Sequence, residues 1–331
     1  MGSGTFAEPT FEAVIKAGYP VVGLFTQPDR PMGSRRSSTR QIGLGMKEMA
    51  QRHQIPVFQP ANLNDCDNQK LLAELKPDLL VVAAYGQILQ RSILAIPRLG
   101  GINVHASLLP KYRGAAPVAW AILNGEQTTG VSIIQMSPAL DAGAILAQEA
   151  TEIYPGETAG ELESRLAIIG ARLTCSIIEQ LKQGPCVGRL QDQVLASRAP
   201  KLTKESGAIA WHQPAHTIAR HILAMQPWPT AYTFLHRAGK PSVRIMVTKT
   251  GKIIAASGGT TPIVPGSHYS GDGNLWVFTG NQEAIQILEL QPAGKKKMSA
   301  DDFLRGHWTD PQDRFGPENL EEISREGLPV G

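Results

Sequence analysis

Residues 79–84 have the sequence LLVVAA, and residues 101–105 have the sequence GINVH. The first run is too short for a helix and is apolar throughout, as in a strand that is buried on both faces of a parallel α/β sheet. Sites commonly form where such strands end. Asn103 and His105 are two positions apart in an extended segment, so both side chains project from one face. These stretches predict an α/β fold with an amide beside an imidazole.

A further strand pattern brings a carboxylate to the same region. Residues 130–136 have the sequence GVSIIQM, and the loop that follows carries Asp141. Taken alone, Asn103 and His105 also fit a strand end whose polar side chains only satisfy backbone groups. The carboxylate favours a site, because an amide donor, an imidazole and a carboxylate together suit chemistry at a carbonyl carbon. We predict Asn103, His105 and Asp141 as catalytic residues.

The first 190 residues alternate between strand and helix patterns. This alternation predicts a doubly wound, mostly parallel sheet with right-handed crossovers, in a Rossmann-like arrangement. Residues 191–204 lack periodicity and are interpreted as a linker. The predicted strands are 21–26, 55–58, 79–84, 129–136 and 144–151, and the predicted helices are 10–18, 46–53, 67–75, 118–123 and 161–183.

Residues 205–315 have a different pattern, in which short strands alternate with Gly and Pro turns. Such strands at close spacing predict a small β-barrel of the OB type. The predicted organisation is therefore a catalytic domain at 1–190, a linker at 191–204, a barrel domain at 205–315 and a tail at 316–331. The predicted barrel strands are 231–234, 242–248, 252–256, 274–279 and 284–290.

The bulk composition fits a globular protein. The chain has 331 residues, of which 42% are hydrophobic and 18% charged, and this length favours two domains. Three cysteines without close spacing favour a reducing compartment. The sequence has neither a signal-peptide pattern nor an apolar run of about 18 residues, so we expect a cytoplasmic protein without a membrane span. No interface pattern indicates a dimer, so we expect a monomer.

Charge is distributed unevenly along the chain. Residues 201–298 contain 11 Lys and Arg against 4 Asp and Glu, whereas residues 299–331 contain 3 against 8. A locally basic domain is typical of a surface that binds nucleic acid phosphates. Lys295, Lys296 and Lys297 follow the last predicted strand, where a barrel loop would present them. These lysines, and the arginine-rich stretch 30–45, also have a plainer interpretation as solvated loops.

Several motifs resemble those of the formyltetrahydrofolate-dependent formyltransferase family, and together they extend over nearly the whole chain. Residues 103–117, NVHASLLPKYRGAAP, and the segments 129–131 and 140–143 are similar to motifs found across that family. Three later motifs resemble the family's tRNA-directed members. They are APKL at 199–202, PWP at 227–229 and LQPAGKKKM at 290–298.

The resemblance implies an activity and a set of site residues. It implies transfer of a formyl group from 10-formyltetrahydrofolate to the amino group of methionyl initiator tRNA, giving N-formylmethionyl-tRNA for translation initiation without a metal. It places the family's catalytic residues on Asn103, His105 and Asp141. The implied folate-binding residues are Tyr85, Gly86, Gln87, Ile88, Leu89, Ser107, Leu108, Leu109 and Pro110, and the implied tRNA-binding residues are Phe6, Arg35, Arg36, Lys201, Lys295, Lys296 and Lys297.

The sequence departs from the family pattern in two places. Near Asp141 it has Ala142 and Ala144 where the family typically has a Thr and a second Asp, and Ala139 where the family has a Gly, so weaker support of this loop is expected. Family members also open with an apolar strand, whereas this sequence begins at Met1 inside the turn that follows. We expect a start codon placed too far downstream, because unpaired buried backbone groups cost about 1–3 kcal/mol each against a total stability of about 5–15 kcal/mol.

Two rival functions remain open at this point. Sugar-nucleotide and glycinamide ribonucleotide formyltransferases, and hydrolases that release formate, would share Asn103, His105 and Asp141 and would differ in the acceptor. A non-catalytic tRNA-binding protein that lost activity with its first strand would bind tRNA with a steep salt dependence and transfer nothing. The basic barrel favours a tRNA acceptor, and the complete set of three catalytic residues favours an enzyme.

Overall fold

The computed structural model describes residues 1–29, 45–256, 264–271, 273–306, 310 and 312–319. The chain divides into two compact units. The first unit contains Met1–Ala121 and Glu126–Lys201, and the second contains Ile122–Gly125 and Leu202–Gly331. The boundary at Lys201 lies inside the segment predicted as a linker, and the finer domain bounds given above stay predictions.

The helices and strands of the amino-terminal part alternate along the chain as the sequence predicts. The helices are α1 (Glu8–Lys16), α2 (Met46–Arg52), α3 (Cys66–Glu74), α4 (Arg91–Leu94), α5 (Pro117–Leu123) and α6 (Ala159–Gln183). The strands are β1 (Leu24–Phe25), β2 (Val57–Phe58), β3 (Leu80–Ala83), β4 (Gly101–His105), β5 (Arg113–Gly114), β6 (Thr128–Gln135), β7 (Ile145–Glu152) and β8 (Arg198–Ala199).

The central sheet is mixed in direction. Its strand order is β3-β4-β6-β7, in which β3 and β4 are parallel and both β4-β6 and β6-β7 are antiparallel. β1 and β2 form a separate parallel pair. Gly2 connects this pair to the sheet, since it bridges to Ala83 in the parallel sense and its N–H donates to the Phe25 carbonyl at 3.0 Å. The predicted α/β fold is confirmed, with antiparallel strands on one side of β4.

α6 covers the sheet, and its sequence carries both a cap at its start and an apolar face. Thr158 and Glu161 form a capping box at its start, where each side chain satisfies a backbone N–H of the other residue. Leu162, Leu166 and Ile177 are at most 1% exposed, and burying such a side chain stabilises the fold by about 1.5–3 kcal/mol. In the part of the chain that the structure describes, no helix combines the length and apolarity required to cross a bilayer.

The segment predicted as a linker is bound to the first unit over part of its length. Within it, β8 pairs in parallel with β5, so that Arg198 lies beside Arg113 and Ala199 beside Gly114. Gly114 has φ +125°, and a Cβ there would lie 2.6 Å from the Ala199 carbonyl oxygen. A glycine is therefore required where these two short strands approach each other.

The second unit is built around one antiparallel sheet. Its strand order is β11-β12-β13-β10-β9-β15, and β14 pairs with β13. An antiparallel bridge links Ser267, which precedes β11, to Arg314 of β15, so that the sheet curls into a partial barrel, consistent with the predicted barrel. The elements are α7 (Ala215–Ala224), β9 (Tyr232–Arg237), β10 (Lys240–Ala255), β11 (His268–Gly271), β12 (Asn274–Phe278), β13 (Glu283–Pro292), β14 (Met298–Ser299), α8 (Ala300–Gly306) and β15 (Arg314–Gly316).

Two details of the barrel differ from the sequence prediction. The predicted strands 242–248 and 252–256 are one long strand, β10, whose register against β13 shifts between Val247 and Ile253. The break in the hydrophobic pattern that suggested two strands is thus an irregularity within one strand. β11 was not predicted, because its sequence HYSG is short and only His268 of its four residues is buried.

Candidate active site

The three predicted catalytic side chains meet at the end of β4. Asn103 and His105 project from the same face of that strand, and Asp141 lies on the loop between β6 and β7. The Asn103 amide donates to Asp141 Oδ1 at 3.3 Å, and His105 Nδ1 lies 3.6 Å from Asp141 Oδ2. The side chains of His105 and Asp141 are only 6% and 10% exposed. The structure therefore brings these groups together, and their catalytic role stays a prediction.

The imidazole of His105 is oriented by a backbone carbonyl. Its Nε2 lies 2.9 Å from the carbonyl oxygen of Tyr112. A carbonyl can only accept, so Nε2 carries the proton of that hydrogen bond and Nδ1 is the nitrogen that faces Asp141. The gap of 3.6 Å between Nδ1 and Asp141 Oδ2 exceeds hydrogen-bond length. Asp141 is therefore close enough to act on the charge of the ring without being the group that orients it.

Asp141 occupies a backbone conformation that its loop must maintain. Its φ is +48°, in the left-handed region, which is uncommon for residues other than glycine. The backbone N–H of Gly114 donates to Asp141 Oδ2 at 2.9 Å. The side chain of Gln191 donates to the carbonyls of Asp141 and Gly143 at 2.7 and 2.8 Å. Groups from distant parts of the chain thus hold this loop and its carboxylate.

Sequence reasoning did not identify the groups that support the site. The Tyr112 carbonyl and the Gly114 N–H belong to the backbone, so their residue types do not reveal their roles, although the glycine itself was a signal of close approach. Gln191 lies in a stretch without periodicity and acts on a loop 50 positions away. No local pattern connects these two segments.

A buried network fixes the segment that follows β4. Ser132 on β6 donates to the carbonyl of Ser107 at 2.6 Å and accepts from the Leu109 N–H at 3.0 Å. Gln148 on β7 donates to the same Ser132 oxygen at 2.8 Å. Ser107 and Leu109 are at most 2% exposed. The backbone of the predicted folate-binding stretch 107–110 is therefore held by this network, and three of its four residues are buried, namely Ser107, Leu109 and Pro110.

The other predicted folate-binding segment is divided between core and surface. Tyr85 and Leu89 pack in an apolar cluster with Phe25, and burial raises the pKa of Tyr85 to about 12. Gln87 donates to the Pro60 carbonyl at 3.0 Å and accepts from the Leu63 N–H at 2.8 Å. Ile88 is 70% exposed. Gly86 has φ +78°.

Ile88 therefore presents the largest exposed side chain of the segment 85–89. Folate binding by the nine residues stays a prediction.

Four of the five predicted tRNA-binding residues that the structure describes are exposed. Lys201, Lys295, Lys296 and Lys297 are exposed, whereas Phe6 is only 7% exposed. Lys297 forms an ion pair with Glu289 at 2.9 Å. Arg35 and Arg36 lie outside the described residues.

Metal-ligating side chains are scattered in the residues that the structure describes. Among them, His, Cys, Asp and Glu side chains do not form a group of three or more that could hold an ion. The polar groups that do converge at the end of β4 are an amide, an imidazole and a carboxylate.

Comparison with known families identifies both units. A family model described as "Formyl transferase" matches residues 1–178, and one described as "Formyl transferase, C-terminal domain" matches residues 201–308. The chain is 41% identical over 310 residues to the methionyl-tRNA formyltransferase of Syntrophus aciditrophicus, covering 93% of this chain and 95% of that protein. It is 42% identical over 308 residues to the protein of the same name from Chloroflexus aurantiacus, covering 92% and 95%.

Solved structures share the fold at lower identity. The N-formyltransferase of Helicobacter canadensis in complex with folinic acid and dTDP-3-aminofucose aligns with a TM-score of 0.61 at 16% identity, over 86% of this chain and 96% of that chain. HypX of Aquifex aeolicus in complex with tetrahydrofolic acid aligns with a TM-score of 0.53 at 17% identity, over 77% of this chain and 43% of that longer chain. From the two domain matches and the close relatives, the chain belongs to the methionyl-tRNA formyltransferase family.

Proposed function

We propose that this protein transfers the formyl group of 10-formyltetrahydrofolate to the α-amino group of methionyl initiator tRNA. The observation that carries the proposal is the convergence of Asn103, His105 and Asp141 in one buried site, in a chain whose relatives over 93% of its length bear the name of that activity. The proposal includes a cytoplasmic location and a monomeric state. A measurement of the protein's molar mass in solution tests the monomeric state.

Asn103 is the group suited to stabilise developing negative charge. Attack of an amine on the formyl carbon moves charge onto the carbonyl oxygen, and the amide N–H of Asn103 can donate to it. In this structure that N–H is directed at Asp141 Oδ1 over 3.3 Å, a long contact that a better acceptor can replace. Removal of one such donor elsewhere costs about 2.7–4 kcal/mol of transition-state stabilisation.

His105 and Asp141 are the groups suited to handle the proton. The attacking amine must lose a proton, and the leaving nitrogen of the donor must gain one. Nδ1 of His105 is the ring nitrogen that faces the site, since Nε2 is bound to the Tyr112 carbonyl. Asp141 Oδ2 lies 3.6 Å from Nδ1, so it can stabilise a positive ring or accept the proton through one water.

Positioning of the two substrates is expected to contribute more than proton transfer. Correct orientation supplies as much as about 7–11 kcal/mol, whereas acid–base help supplies a factor of about 100–10,000 in rate. The formyl donor supplies an activated one-carbon group, and we assign its binding to the segments 84–89 and 107–110, which lie after β3 and β4. The Ser132 network holds the second of these segments in place.

The second unit is suited to bind the RNA. Within it, residues 202–298 contain 10 Lys and Arg against 4 Asp and Glu, whereas residues 299–331 contain 3 against 8, so the basic excess is confined to the part before residue 299. Lys295, Lys296 and Lys297 are exposed in this basic part. Exposed cations attract phosphates with a strong dependence on salt. We assign this surface to tRNA affinity and the buried site of the first unit to formyl transfer.

A transfer assay with separate acceptor arms tests the proposal. The purified protein is given 10-formyltetrahydrofolate with charged initiator tRNA, uncharged initiator tRNA, an amino-sugar nucleotide or no acceptor. We expect formylated methionyl-tRNA in the first arm only. Equal formate release without acceptor would identify a hydrolase, transfer to the sugar would identify another acceptor class, and tRNA binding without transfer would identify a non-catalytic protein.

A further inference from the structure

Gln191 is a buried amide that joins Arg113 to the loop that carries Asp141. It is 8% exposed. Its Nε2 donates to the carbonyls of Asp141 and Gly143 at 2.7 and 2.8 Å. Its Oε1 accepts from Nε and Nη2 of Arg113 at 3.1 and 2.7 Å. A glutamine amide has two donor hydrogens and two acceptor lone pairs, so all of its hydrogen-bonding capacity is used.

The chemistry of the partners fixes the orientation of this amide. Exchanging its oxygen and nitrogen would direct the oxygen at two carbonyls and the NH₂ group at the guanidinium of Arg113. Both contacts would be repulsive, because carbonyls only accept and guanidinium only donates. Arg113 therefore determines which end of Gln191 faces the loop that carries Asp141.

The contacts of Gln191 bear directly on the conformation of Asp141. A hydrogen bond to the Asp141 carbonyl restrains the peptide that follows the residue with φ +48°. On the other side of the loop, a Cβ at Gly143 would lie 1.7 Å from the Gln135 carbonyl oxygen, so the loop has no room to move toward β6. Gly114, which follows Arg113, donates its N–H to Asp141 Oδ2 at 2.9 Å. Gln191 thus holds the main chain of Asp141 and Gly114 holds its carboxylate, and Arg113, the neighbour of Gly114, bonds Gln191.

We propose that Gln191, held by Arg113, is a positioning residue that sets the direction of the Asp141 carboxylate toward Asn103 and His105. This inference rests on the proposed formyl transfer. Ala142 and Ala144 bring no polar side chain to the loop, and Ser137 within it bonds the Ala139 carbonyl at 3.2 Å. The side chain that bonds the carbonyls of Asp141 and Gly143 is that of Gln191. The glutamine acts through Asp141 and touches neither of the other two catalytic side chains.

Gln191→Glu tests this role with little change in volume. A glutamate keeps an acceptor for Arg113, but it places an oxygen against the carbonyls of Asp141 and Gly143. We expect kcat to fall about 10- to 100-fold, while the KM values for both substrates stay within about twofold. Gln191→Met removes the donors and the acceptors at similar size, and we expect the same fall in kcat.

A second readout reports on Asp141 without depending on activity. The amide hydrogen of Gly114 is bonded to Asp141 Oδ2, so its exchange with solvent, followed by NMR, reports the position of the carboxylate. We expect both Gln191 variants to speed this exchange by roughly tenfold or more, while the melting temperature and the exchange of the β4 amides stay close to those of the wild type.

Gln193→Ala is the matched control. Gln193 is exposed, accepts from Nη1 of the same Arg113 at 2.9 Å and donates to the backbone carbonyl of Gln191 at 3.3 Å. No hydrogen bond joins its side chain to the described residues 137–144, so it controls for a change beside Arg113 that leaves the Gln191 amide in place. We expect wild-type kcat and Gly114 exchange in this variant. Gln191 variants that keep kcat or Gly114 exchange within about twofold of the wild type would overturn the proposal. If the wild type transfers no formyl group but the Gly114 amide exchanges faster in the Gln191 variants than in the wild type, the proposed function is rejected and the positioning role of Gln191 is kept.

Discussion

The loop that carries Asp141 and the turn that carries Lys295, Lys296 and Lys297 both present charge, but they hold it in different ways. The carboxylate of Asp141 receives a backbone N–H and an amide N–H, and its main chain is bound by Gln191. The lysine turn is exposed, and Lys297 within it forms an ion pair with Glu289. The carboxylate is fixed in direction, whereas the exposed ammonium groups can reorient.

This difference matches what each region is proposed to do. A group that acts on a reacting bond must be held in direction, since small misplacements cost large factors in rate. Charges that attract a phosphate backbone need only be near it, because their contribution is electrostatic and independent of sequence. We therefore expect conservative changes at the first region to have large effects on rate, and changes at the second to have small effects on affinity.

Asp141→Asn is expected to give the largest effect. The variant keeps the size of the side chain and an oxygen for the Gly114 N–H, but it loses the negative charge that faces His105. We expect kcat to fall by about 100- to 10,000-fold, measured as formylation of charged tRNA in single turnover. Asp192→Asn is the control, because Asp192 is exposed and only caps Val194. Comparable losses in both variants would contradict the special role of Asp141.

Asn103→Ala is expected to give the next largest effect. Loss of the amide donor should lower kcat by about 100- to 1,000-fold, with tRNA affinity nearly unchanged in a binding assay without the formyl donor. A parallel loss of rate and tRNA affinity would show that Asn103 acts in RNA binding or folding, and would remove the contrast between the two regions.

Substitutions in the lysine turn are expected to weaken tRNA binding modestly and unequally. Lys295→Ala and Lys296→Ala should each weaken affinity by a few fold and reduce the slope of log K against log salt by about 0.9 for each phosphate that is no longer neutralised. Lys297→Ala should do less, because Glu289 already neutralises part of its charge at 2.9 Å. Lys70→Ala, on the exposed face of α3, is the control. If all four substitutions weakened tRNA affinity equally, the effect would come from the net charge of the protein and the proposed role of the lysine turn would be contradicted.

The smallest expected effect concerns acid stability of the second unit. Burial lowers the pKa of His221 below its ordinary value of 6.5, against the opposing hydrogen bond to the Ser206 carbonyl. The unfolded chain therefore binds a proton more readily, and stability is lost as pH falls from about 6.5 toward the lower folded pKa. His221→Gln should reduce this loss in urea unfolding at pH 8 and pH 5, by about 1.4 kcal/mol for each unit of pKa depression.

His53→Gln is the control for that measurement. His53 is exposed at the end of α2 in the first unit. Because it lies outside the second unit, its replacement should leave the unfolding of that unit at pH 8 and pH 5 as in the wild type. An unchanged pH dependence in His221→Gln would mean that the buried histidine does not contribute.

The strands that carry the site could be predicted because their information is local. Continuous apolarity identified β3, and the two-residue spacing of Asn103 and His105 on β4 predicted their shared face. The sustained pattern of α6 predicted that helix to within two residues of its start and at its last residue. In each case the residues that share a face recur with the period of the element, 2 residues for a strand and 3.6 for a helix, so the local sequence is sufficient to predict it.

The remainder could not be predicted because it depends on contacts between distant segments. The position of Asp141 rests on Gly114 and Gln191, which lie 27 and 50 residues away. The pairing of β5 with β8 involves two residues of each strand, too few for a periodic signal. In β10, a pattern broken near Gly251 looked like two strands and is one strand with shifted register.

The bond between His105 Nε2 and the Tyr112 carbonyl has a consequence for turnover. The imidazole ring cannot flip to exchange the positions of its two nitrogens without breaking this hydrogen bond. In the proposed reaction a proton that arrives at Nδ1 must therefore depart from Nδ1. Nδ1 is then the one ring nitrogen that exchanges protons with the substrates, and it must lose its proton before it can accept one from the next amine.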